Sequence, residues 1–460
     1  MNNNLIAVFK KIVGETYVLT SKEDLLSYGY DATPGFFHLP ATVIIPENTG
    51  QVSQVMAIAN KEKIPVYVRG AGTNLSAGTV PTQGGIVLLM TRMNRIIEVD
   101  TENLVAVAEP GVVVSDLNKI VEQSGLIYPP DPGTVTTATL GGTVAENSGG
   151  LRGLKYGVTK HYVMGLEVVL ADGRIMNTGG KNVKDVAGYD LTKLFTGAEG
   201  TLCVITKIIV KLVPAPETRK SMMAIFNNLD NAGNSIASII ANKIIPATLE
   251  IMDNATIRTV EDYAHVGLPV NAEAVLLIEV DGIPAVVEKE AAKVLEVLKA
   301  NKADEIRVAK DTADRDKIWA ARRAALPALA KLRPTTFVED ATVPRSKVPD
   351  MIRAINEIAA KYKVRIGTFG HAGDGNMHPT LVCDIRDKEE MERVYKAMDE
   401  IFATAIKLGG TLSGEHGIGL GKLRYMEDQF GPVGMEVMRT IKKALDPNGI
   451  LNPGKLVGEC

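Results

Sequence analysis

Short apolar stretches alternate with amphipathic stretches through the first half of the chain, which predicts a series of small β and α units. Residues 1–40 predict a helix followed by a loop. Pro214-Ala215-Pro216 ends this pattern and marks a domain boundary. The pattern predicts strands at residues 42–45, 65–68, 85–90, 96–100, 104–109 and 202–212, two strands joined by Ala171-Asp172-Gly173, and helices at residues 49–61 (with Thr49 as N-cap), 115–124 and from residue 139.

Between residues 217 and 405, strand-like stretches alternate with amphipathic helices. This order predicts an open, largely antiparallel sheet with helices on one face. A short tail follows the last helix, and the sequence contains neither internal repeats nor low-complexity runs. The predicted strands are 221–226, 274–280, 336–342 and 363–369, and the predicted helices are 231–241, 285–300, 314–332, 348–362 and 388–408.

The composition is that of an ordinary globular protein with more than one domain. The chain has 460 residues, of which 45% are hydrophobic and 23% charged. A net charge of −3 argues against a nucleic acid or an anionic membrane as the main partner. No apolar run has membrane-spanning length and the first residues lack a signal-peptide pattern, so we expect a soluble, cytoplasmic protein without membrane insertion.

The three cysteines, Cys203, Cys383 and Cys460, are far apart in the sequence. Their spacing excludes a disulfide framework and an iron–sulfur site built from this chain alone. Any iron–sulfur cluster that the protein uses is therefore expected on a partner.

Three of the six histidines lie in glycine-rich segments late in the chain. Strand-like sequences flank Asp374-Gly375, a frequent hairpin turn, so His371 and His378 are expected to meet at two strand ends. With Glu415 they would form a His/His/Glu site with an open fourth position, as in catalytic zinc centres. The alternative is structural, because histidines beside a turn are often hydrogen-bonded strand-end residues and the segment around Glu415 would be an ordinary loop.

Several glycine-rich segments in the first half favour a bound phosphate. Residues 69–76 follow a predicted strand, and their glycines let backbone N–H groups approach an anion. The third glycine of a Rossmann fingerprint would fall at Leu75 and a P-loop would need Gly-Lys-Ser/Thr, so nicotinamide and ATP are disfavoured. One such turn often has no ligand. Further segments at residues 129–134, 145–150, 188–193 and 197–201 suggest a long ligand between two lobes.

With these motifs in this order, nearly the whole chain resembles FAD-linked oxidoreductases of the vanillyl-alcohol-oxidase type. The branch is that of glycolate oxidase flavin subunits, D-lactate dehydrogenases and D-2-hydroxyglutarate dehydrogenases. The resemblance implies an α+β fold, with a two-lobed PCMH-type FAD-binding domain, a cap domain with an antiparallel sheet, and a C-terminal tail that returns to the flavin domain. The implied ranges are 1–216 (core 38–216) for FAD binding, 217–405 for the cap and 406–460 for the segment that completes the active site and the flavin domain.

The resemblance also implies which residues hold FAD. Relatives with covalent flavin often carry a histidine where this chain has Thr73, so we expect non-covalent FAD. The residues expected to contact it are Arg69, Gly70, Ala71, Gly72, Thr73, Asn74, Leu75, Ser76, Pro130, Asp131, Pro132, Gly133, Thr134, Gly141, Gly142, Ala145, Asn147, Ser148, Gly149, Gly150, Gly200 and Asn452.

For the chemistry, the resemblance implies a divalent metal, zinc or iron, bound by His371, His378 and Glu415. Such a metal lowers the pKa of the substrate hydroxyl and orients the C2 hydrogen toward flavin N5. His416 is expected to be the general base, and Arg322 to bind the substrate carboxylate bidentately. The alternatives are a structural role for His416 and a solvent-exposed helix face for Arg322.

The expected substrate is a small D-2-hydroxy acid, with oxidation of D-lactate to pyruvate as the first choice. Hydroxyglutarate-type relatives carry a lysine two residues before the aspartate that matches Asp340, and this chain has Val338 there. Glycolate and D-2-hydroxyglutarate are the alternatives. Electrons are expected to pass to an electron-transferring flavoprotein or an iron–sulfur subunit, and a homodimer is one option for assembly.

Two other functions stay open on the sequence alone. A non-catalytic FAD- or metal-binding module would bind flavin that no hydroxy acid reduces. An alditol or aromatic-alcohol oxidase on the same scaffold would not need His371, His378 and Glu415 as a group, so its activity would be indifferent to chelation. Direct transfer of electrons from the reduced flavin to oxygen is a further alternative, and it would form hydrogen peroxide.

Overall fold

The computed structural model describes residues 1–458 and shows two compact units. Cys460 lies outside the described residues. The chain passes between the units four times. Unit 1 comprises Met1–Gly149, Val158–Pro214 and the C-terminal segment that begins at Glu415, and unit 2 comprises Gly150–Gly157 and Ala215–Gly414.

The strands and helices are numbered in chain order. The strands are β1 Val18–Leu19, β2 Thr42–Ile44, β3 Val66–Arg69, β4 Ile86–Leu89, β5 Ile96–Asp100, β6 Val105–Ala108, β7 Leu126–Ile127, β8 Val163–Val169, β9 Ile175–Gly179, β10 Val204–Lys211, β11 Val213–Pro214, β12 Thr218–Phe226, β13 Thr248–Asp253, β14 Ala274–Gly282, β15 Glu305–Val308, β16 Thr335–Val338, β17 Ala341–Thr342, β18 Arg365–His371 and β19 Asn376–Cys383. The α-helices are α1 Asn3–Val13, α2 Lys22–Leu26, α3 Thr49–Lys61, α4 Val114–Val121, α5 Leu140–Glu146, α6 Gly153–Tyr156, α7 Leu191–Phe195, α8 Leu229–Ala241, α9 Asn254–Ala264, α10 Pro284–Ala300, α11 Thr312–Ala330, α12 Val348–Tyr362, α13 Lys388–Lys407 and α14 Met426–Leu445. No helix within residues 1–458 is long and apolar enough to cross a membrane.

Unit 1 contains a four-stranded sheet in the order β1-β2-β4-β3, in which β2, β4 and β3 are parallel. A five-stranded antiparallel sheet has the order β5-β6-β10-β8-β9. Phe9 of α1 and Met56 of α3 pack in one apolar cluster with Ile86 of β4. The chain end returns to this unit, because Asn452 N–H donates to the Val66 carbonyl at 2.8 Å. The predicted return of the tail is therefore confirmed.

Unit 2 is built on an eight-stranded sheet in the order β15-β12-β14-β13-β18-β19-β16, with β17 also paired to β19. Its strand pairs are antiparallel, as predicted. Met222 and Ala224 of β12 pack with α8, α10, α12 and α13, whereas Met223 and Ile225 pack with α9 and α11. The prediction of helices on one face is therefore wrong. Strands covered on both faces contain continuous apolar runs, as residues 222–226 of β12 and 274–278 of β14 do.

The sequence-based prediction misses several elements, among them β13, α9, β15 and α14. In β13, the buried Glu250 and Asp253 interrupt an apolar run, which hides the strand. In α14, Gly431 has a φ of 67° and is followed by Pro432, so the helix is kinked. Such a pair is normally a helix stop, and the sequence predicts only a short tail there.

The cap of α3 also differs from the prediction. Asn48, not Thr49, is the N-cap, and its side chain accepts the Gln51 N–H at 3.0 Å. Both adjacent residues are good caps, so the pattern alone does not choose between them.

Candidate functional site: a flavin cavity and a buried histidine pair

Unit 1 contains a cavity where several of its glycine-rich segments meet. The empty space in and around it, including the part that is open to solvent, is about 660 Å³. Its wall combines glycine backbone, apolar side chains and a few polar groups. The lining residues are Val68, Gly70, Gly78, Thr79, Met90, Pro110, Thr139, Gly141, Gly142, Ala145, Glu146, Phe195, Ala198, Glu199, Gly200, Cys203, Ile205 and Asn452.

Glycine is required in this wall because neighbouring segments leave no room for a side chain. A β-carbon at Gly70 would overlap Thr139 Oγ1, and one at Gly141 would overlap Pro110. Without side chains, the peptide groups are accessible to a ligand. The residues that were predicted to contact FAD and that line the cavity are Gly70, Gly141, Gly142, Ala145, Gly200 and Asn452.

The other residues predicted to contact FAD lie outside this lining, and two of them support the loop after β3. Asn74 Oδ1 accepts the N–H groups of Ser76 at 3.0 Å and Gly78 at 2.7 Å. The Arg69 guanidinium donates to the Tyr30 carbonyl at 2.7 Å. Contact with FAD stays a prediction for the six lining residues and equally for Arg69, Ala71, Gly72, Thr73, Asn74, Leu75, Ser76, Pro130, Asp131, Pro132, Gly133, Thr134, Asn147, Ser148, Gly149 and, in unit 2, Gly150.

The cavity suits a ligand that has both polar and apolar parts. Two buried polar atoms of its wall, Glu146 Oε2 and Asn452 Oδ1, have no hydrogen-bond partner among residues 1–458. Buried polar groups are nearly always paired, so these atoms fit a polar ligand. Pro110, Phe195 and Ile205 supply apolar surface. The sequence analysis missed these three, because an apolar residue in a ligand wall has the same sequence signal as one in a core.

In unit 2, the β18–β19 hairpin places two histidines side by side. His371 pairs with Asn376 and Phe369 with His378, which puts both imidazoles on one face of the sheet. The ring centres are 5.1 Å apart, and the residues are only 6% and 3% exposed. The hairpin predicted from Asp374-Gly375 is thus confirmed.

Glu250, on the neighbouring strand β13, connects His371 to Arg322. Its Oε1 lies 2.7 Å from His371 Nδ1, and its Oε2 accepts from Arg322 Nε at 2.6 Å. Burial favours the neutral acid, but the charges and hydrogen bonds of His371 and Arg322 outweigh burial and lower the pKa of Glu250 below its ordinary value. A carboxylate at Nδ1 leaves Nε2 as the nitrogen through which His371 would bind a metal. The sequence analysis missed Glu250, whose only signal is a glutamate inside an apolar strand.

Arg322 is a buried residue of α11. It is 8% exposed, and its guanidinium carbon lies 4.6 Å from the centre of the Phe369 ring. The next residue, Arg323, is exposed. The alternative of a solvent-exposed helix face therefore applies to Arg323 and not to Arg322.

Asp340 lies between His378 and Ser413, which is near the end of unit 2. Ser413 Oγ donates to Asp340 Oδ2 at 2.5 Å, and Asp340 Oδ1 lies 4.0 Å from His378 Nδ1. Thr411 forms a β-bridge with Thr342. The last residues of unit 2 are thereby held close to His378.

Glu415 and His416 begin the C-terminal segment of unit 1, directly after Gly414. His416 Nε2 lies 3.7 Å from Glu415 Oε1, and Ser76 Oγ donates to the His416 carbonyl at 3.1 Å. A β-carbon at Gly149 would lie 2.8 Å from Glu415 Oε2. Both residues therefore pack against segments that were predicted to hold FAD.

Two family models match the chain in sequence order. The FAD binding domain matches residues 40–179, and the C-terminal domain of FAD linked oxidases matches residues 215–456. The chain belongs to the FAD-linked oxidases. The family expected from the motifs is confirmed, and FAD is its cofactor.

Relatives cover almost the whole chain. The glycolate oxidase subunit GlcD of Bacillus subtilis is 54% identical over 94% of this chain and 92% of its own length. The GlcD subunit of Escherichia coli strain K12 is 38% identical, covering 95% and 88%. A D-lactate dehydrogenase of Archaeoglobus fulgidus is 39% identical, covering 94% and 95%. The chain is therefore an FAD-linked hydroxy-acid oxidoreductase.

Solved structures confirm the predicted fold class. p-Cresol methylhydroxylase with bound substrate superimposes with a TM-score of 0.82 at 20% identity, covering 99% of this chain and 97% of that one. An alkyldihydroxyacetonephosphate synthase gives 0.78 at 19% identity, covering 99% and 86%. At these identities the likeness concerns the fold alone.

Proposed function

We propose that this chain oxidises a small D-2-hydroxy acid, with D-lactate as the first candidate, to the corresponding 2-oxo acid. Bound FAD supplies the hydride acceptor, at flavin N5. The observation that carries the proposal is a buried set of side chains in unit 2. Glu250 joins His371 to Arg322, and the centre of the His378 ring lies 5.1 Å from that of His371. Two imidazoles that offer metal-ligand nitrogens beside a buried guanidinium suit a substrate with adjacent hydroxyl and carboxylate groups.

We assign the divalent metal, zinc or iron, to His371, His378 and Glu415. The bound metal would polarise the substrate hydroxyl as a Lewis acid. The donor set fits, because Glu250 binds His371 Nδ1 as carboxylates do in histidine–metal sites. Ser413, which donates a hydrogen bond to Asp340, lies two positions before Glu415 in the chain.

Arg322 would hold the substrate carboxylate through its two terminal nitrogens. Its Nε is already bound by Glu250, which fixes the plane of the guanidinium and leaves the fork for a bidentate contact. Val338 in place of a lysine favours a substrate without a second carboxylate.

His416 would remove the hydroxyl proton at an imidazole nitrogen while the C2 hydrogen leaves as hydride. Its carbonyl is held by Ser76 and its ring lies near Glu415. The contact with Ser76 holds His416 against residues 69–76, the loop that is predicted to bind FAD.

Non-covalent FAD, a cytoplasmic location and a homodimer remain predictions. We propose that electrons leave to an electron-transferring flavoprotein or an iron–sulfur subunit. The support is that two of the relatives are named as subunits of glycolate oxidase.

Glycolate is the second candidate substrate, because the relative at 54% identity is a glycolate oxidase subunit. D-2-hydroxyglutarate is disfavoured by Val338. An anaerobic absorption spectrum before and after addition of D-lactate, L-lactate or glycolate separates these cases. Bleaching by D-lactate alone supports the proposal, and bleaching by glycolate alone replaces it. A flavin band that no hydroxy acid bleaches contradicts the proposed activity.

A further inference from the structure

The cavity of unit 1 contains a buried glutamate, one carboxyl oxygen of which has no hydrogen-bond partner in the described part of the chain. Glu146 is the last residue of α5 and lines the cavity, and its Oε2 is buried with no hydrogen-bond partner among residues 1–458. An unpaired carboxyl oxygen costs about 1–3 kcal/mol or more when buried. A partner is therefore expected from the ligand that fills the cavity.

A second buried carboxylate, Glu199, borders the same small space. A β-carbon at Gly417 would overlap Glu146 Oε2 and lie 3.0 Å from Glu199 Oε1. Glu199 accepts the backbone N–H groups of Ile418 and Gly419, both at 2.7 Å. Two carboxylates this close do not both ionise readily, and the two N–H donors favour the charge on Glu199. When the pair holds one proton, these contacts favour the proton on Glu146 and the charge on Glu199.

For both carboxyl groups, burial is the largest influence on the pKa. Burial, then the charges of Glu199 and Asp31, raise the pKa of Glu146 well above its ordinary value, against the Asn74 amide and the charge of Lys422. Burial also raises the pKa of Glu199, against its two N–H donors and the charges of Lys422 and Lys455. Asp31 lies in the N-terminal segment of unit 1, Asn74 in the loop after β3 and Glu199 between α7 and β10, while both lysines lie in the C-terminal segment.

We propose that Glu146, as a neutral acid, donates a hydrogen bond from Oε2 to an acceptor atom of the flavin ring. The ring is indicated because Gly417, which borders Glu146, follows His416, the proposed base at the reacting end. This inference rests on the proposed function for the position of the ring, and it requires no particular substrate. A donor at this point stabilises the negative charge that the ring gains on reduction, whereas a carboxylate would oppose it.

The test uses purified protein with and without FAD, and it needs no hydroxy acid. Glu146→Gln keeps an N–H donor but does not ionise, and Glu146→Ala removes the donor. Glu109→Gln is the matched control, because Glu109 is a buried carboxylate of unit 1 that pairs with Arg95 at 2.7 Å outside the cavity lining. The measurements are the FAD dissociation constant between about pH 5 and about pH 9 and the flavin midpoint potential.

Binding of FAD to the neutral acid raises the pKa of Glu146 further, so FAD affinity is highest at low pH. In the wild type and in Glu109→Gln, we expect the dissociation constant to rise by up to about tenfold per pH unit above the pKa of the apoprotein. Glu146→Gln should remove this rise. In Glu146→Ala, the ratio of the affinity for reduced flavin to the affinity for oxidised flavin should fall about tenfold. This lowers the flavin midpoint potential by about 30 mV for the two-electron couple.

The inference is overturned if the FAD dissociation constant depends on pH equally in the wild type and in Glu146→Gln, and if Glu146→Ala has the wild-type flavin potential. If Glu146→Ala does not fold, as judged by circular dichroism, the isosteric Gln variant decides. A wild-type protein that does not bind FAD overturns the inference together with the proposed function. If the wild type binds FAD but no hydroxy acid reduces it, only the proposed activity is contradicted. FAD binding and flavin potential can still be compared between the wild type and the Glu146 variants.

Discussion

Arg322 carries the most specific prediction about substrate binding at the scale of single residues. We expect Arg322→Lys to raise the apparent KM for the hydroxy acid by about 10- to 100-fold, because the point charge of lysine replaces a bidentate contact. Arg323→Lys, at the exposed neighbour, is the matched control and should leave KM unchanged. Steady-state kinetics of both variants is the measurement. Equal KM values in Arg322→Lys and wild type would remove Arg322 from the substrate site.

Glu250 provides a second residue-scale prediction. Glu250→Gln keeps the shape but removes the charge at His371 Nδ1, so we expect metal affinity to fall by about 10- to 100-fold. Competition with a chelator of known affinity measures this. The control is Glu279→Gln, because Glu279 is also buried but bonds Ser221 and Trp319 instead. If both variants bind metal like the wild type, Glu250 only balances the charge of Arg322.

Single residues also show how far the site follows from sequence. Glycine-flanked histidines are a visible signal, and they led to His371 and His378, which the fold brings together. Glu250 gave no comparable signal, since a lone glutamate in an apolar run predicts a surface position. Only the pairing of β13 with β18 brings its carboxylate to the imidazole.

At the scale of elements, the tight turn of the β18–β19 hairpin sets the histidine geometry. Gly375 has a φ of 88°, and a β-carbon there would overlap the Val343 carbonyl. Gly267 has a similar φ of 81° but no atom within 4 Å of such a β-carbon. We expect Gly267→Ala to lower the free energy of unfolding by about 1–2 kcal/mol, and Gly375→Ala by about 1–3 kcal/mol more. Denaturant unfolding measures both, and equal losses would contradict a role of close packing.

Element prediction succeeded where the periodic pattern was uninterrupted. The helix expected at residues 348–362 coincides with α12, whose apolar positions repeat along one face. It failed for β13 and α14, where buried carboxylates or a Gly-Pro pair interrupt the pattern. In both cases tertiary packing overrides a local signal.

At the scale of the whole molecule, the attachment of the cofactor is a testable expectation. Thr73 stands where relatives with covalent flavin often carry histidine. We therefore expect unfolding in guanidinium, followed by ultrafiltration, to release all flavin absorbance into the filtrate. Flavin that stays with the unfolded polypeptide would show a covalent link.

The sequence by itself determined the family, FAD as cofactor, the antiparallel sheet and the histidine hairpin. The sheet and the hairpin follow from short segments whose turns and apolar periods have local physical causes. The family and FAD follow from the resemblance of the motifs and their order to those of FAD-linked oxidoreductases. The tertiary structure alone decided that helices cover both faces of that sheet and that Glu250 joins His371 to Arg322. It also decided that Glu146 and Glu199 border one space. Each of these depends on contacts between residues far apart in the chain, which no local pattern encodes.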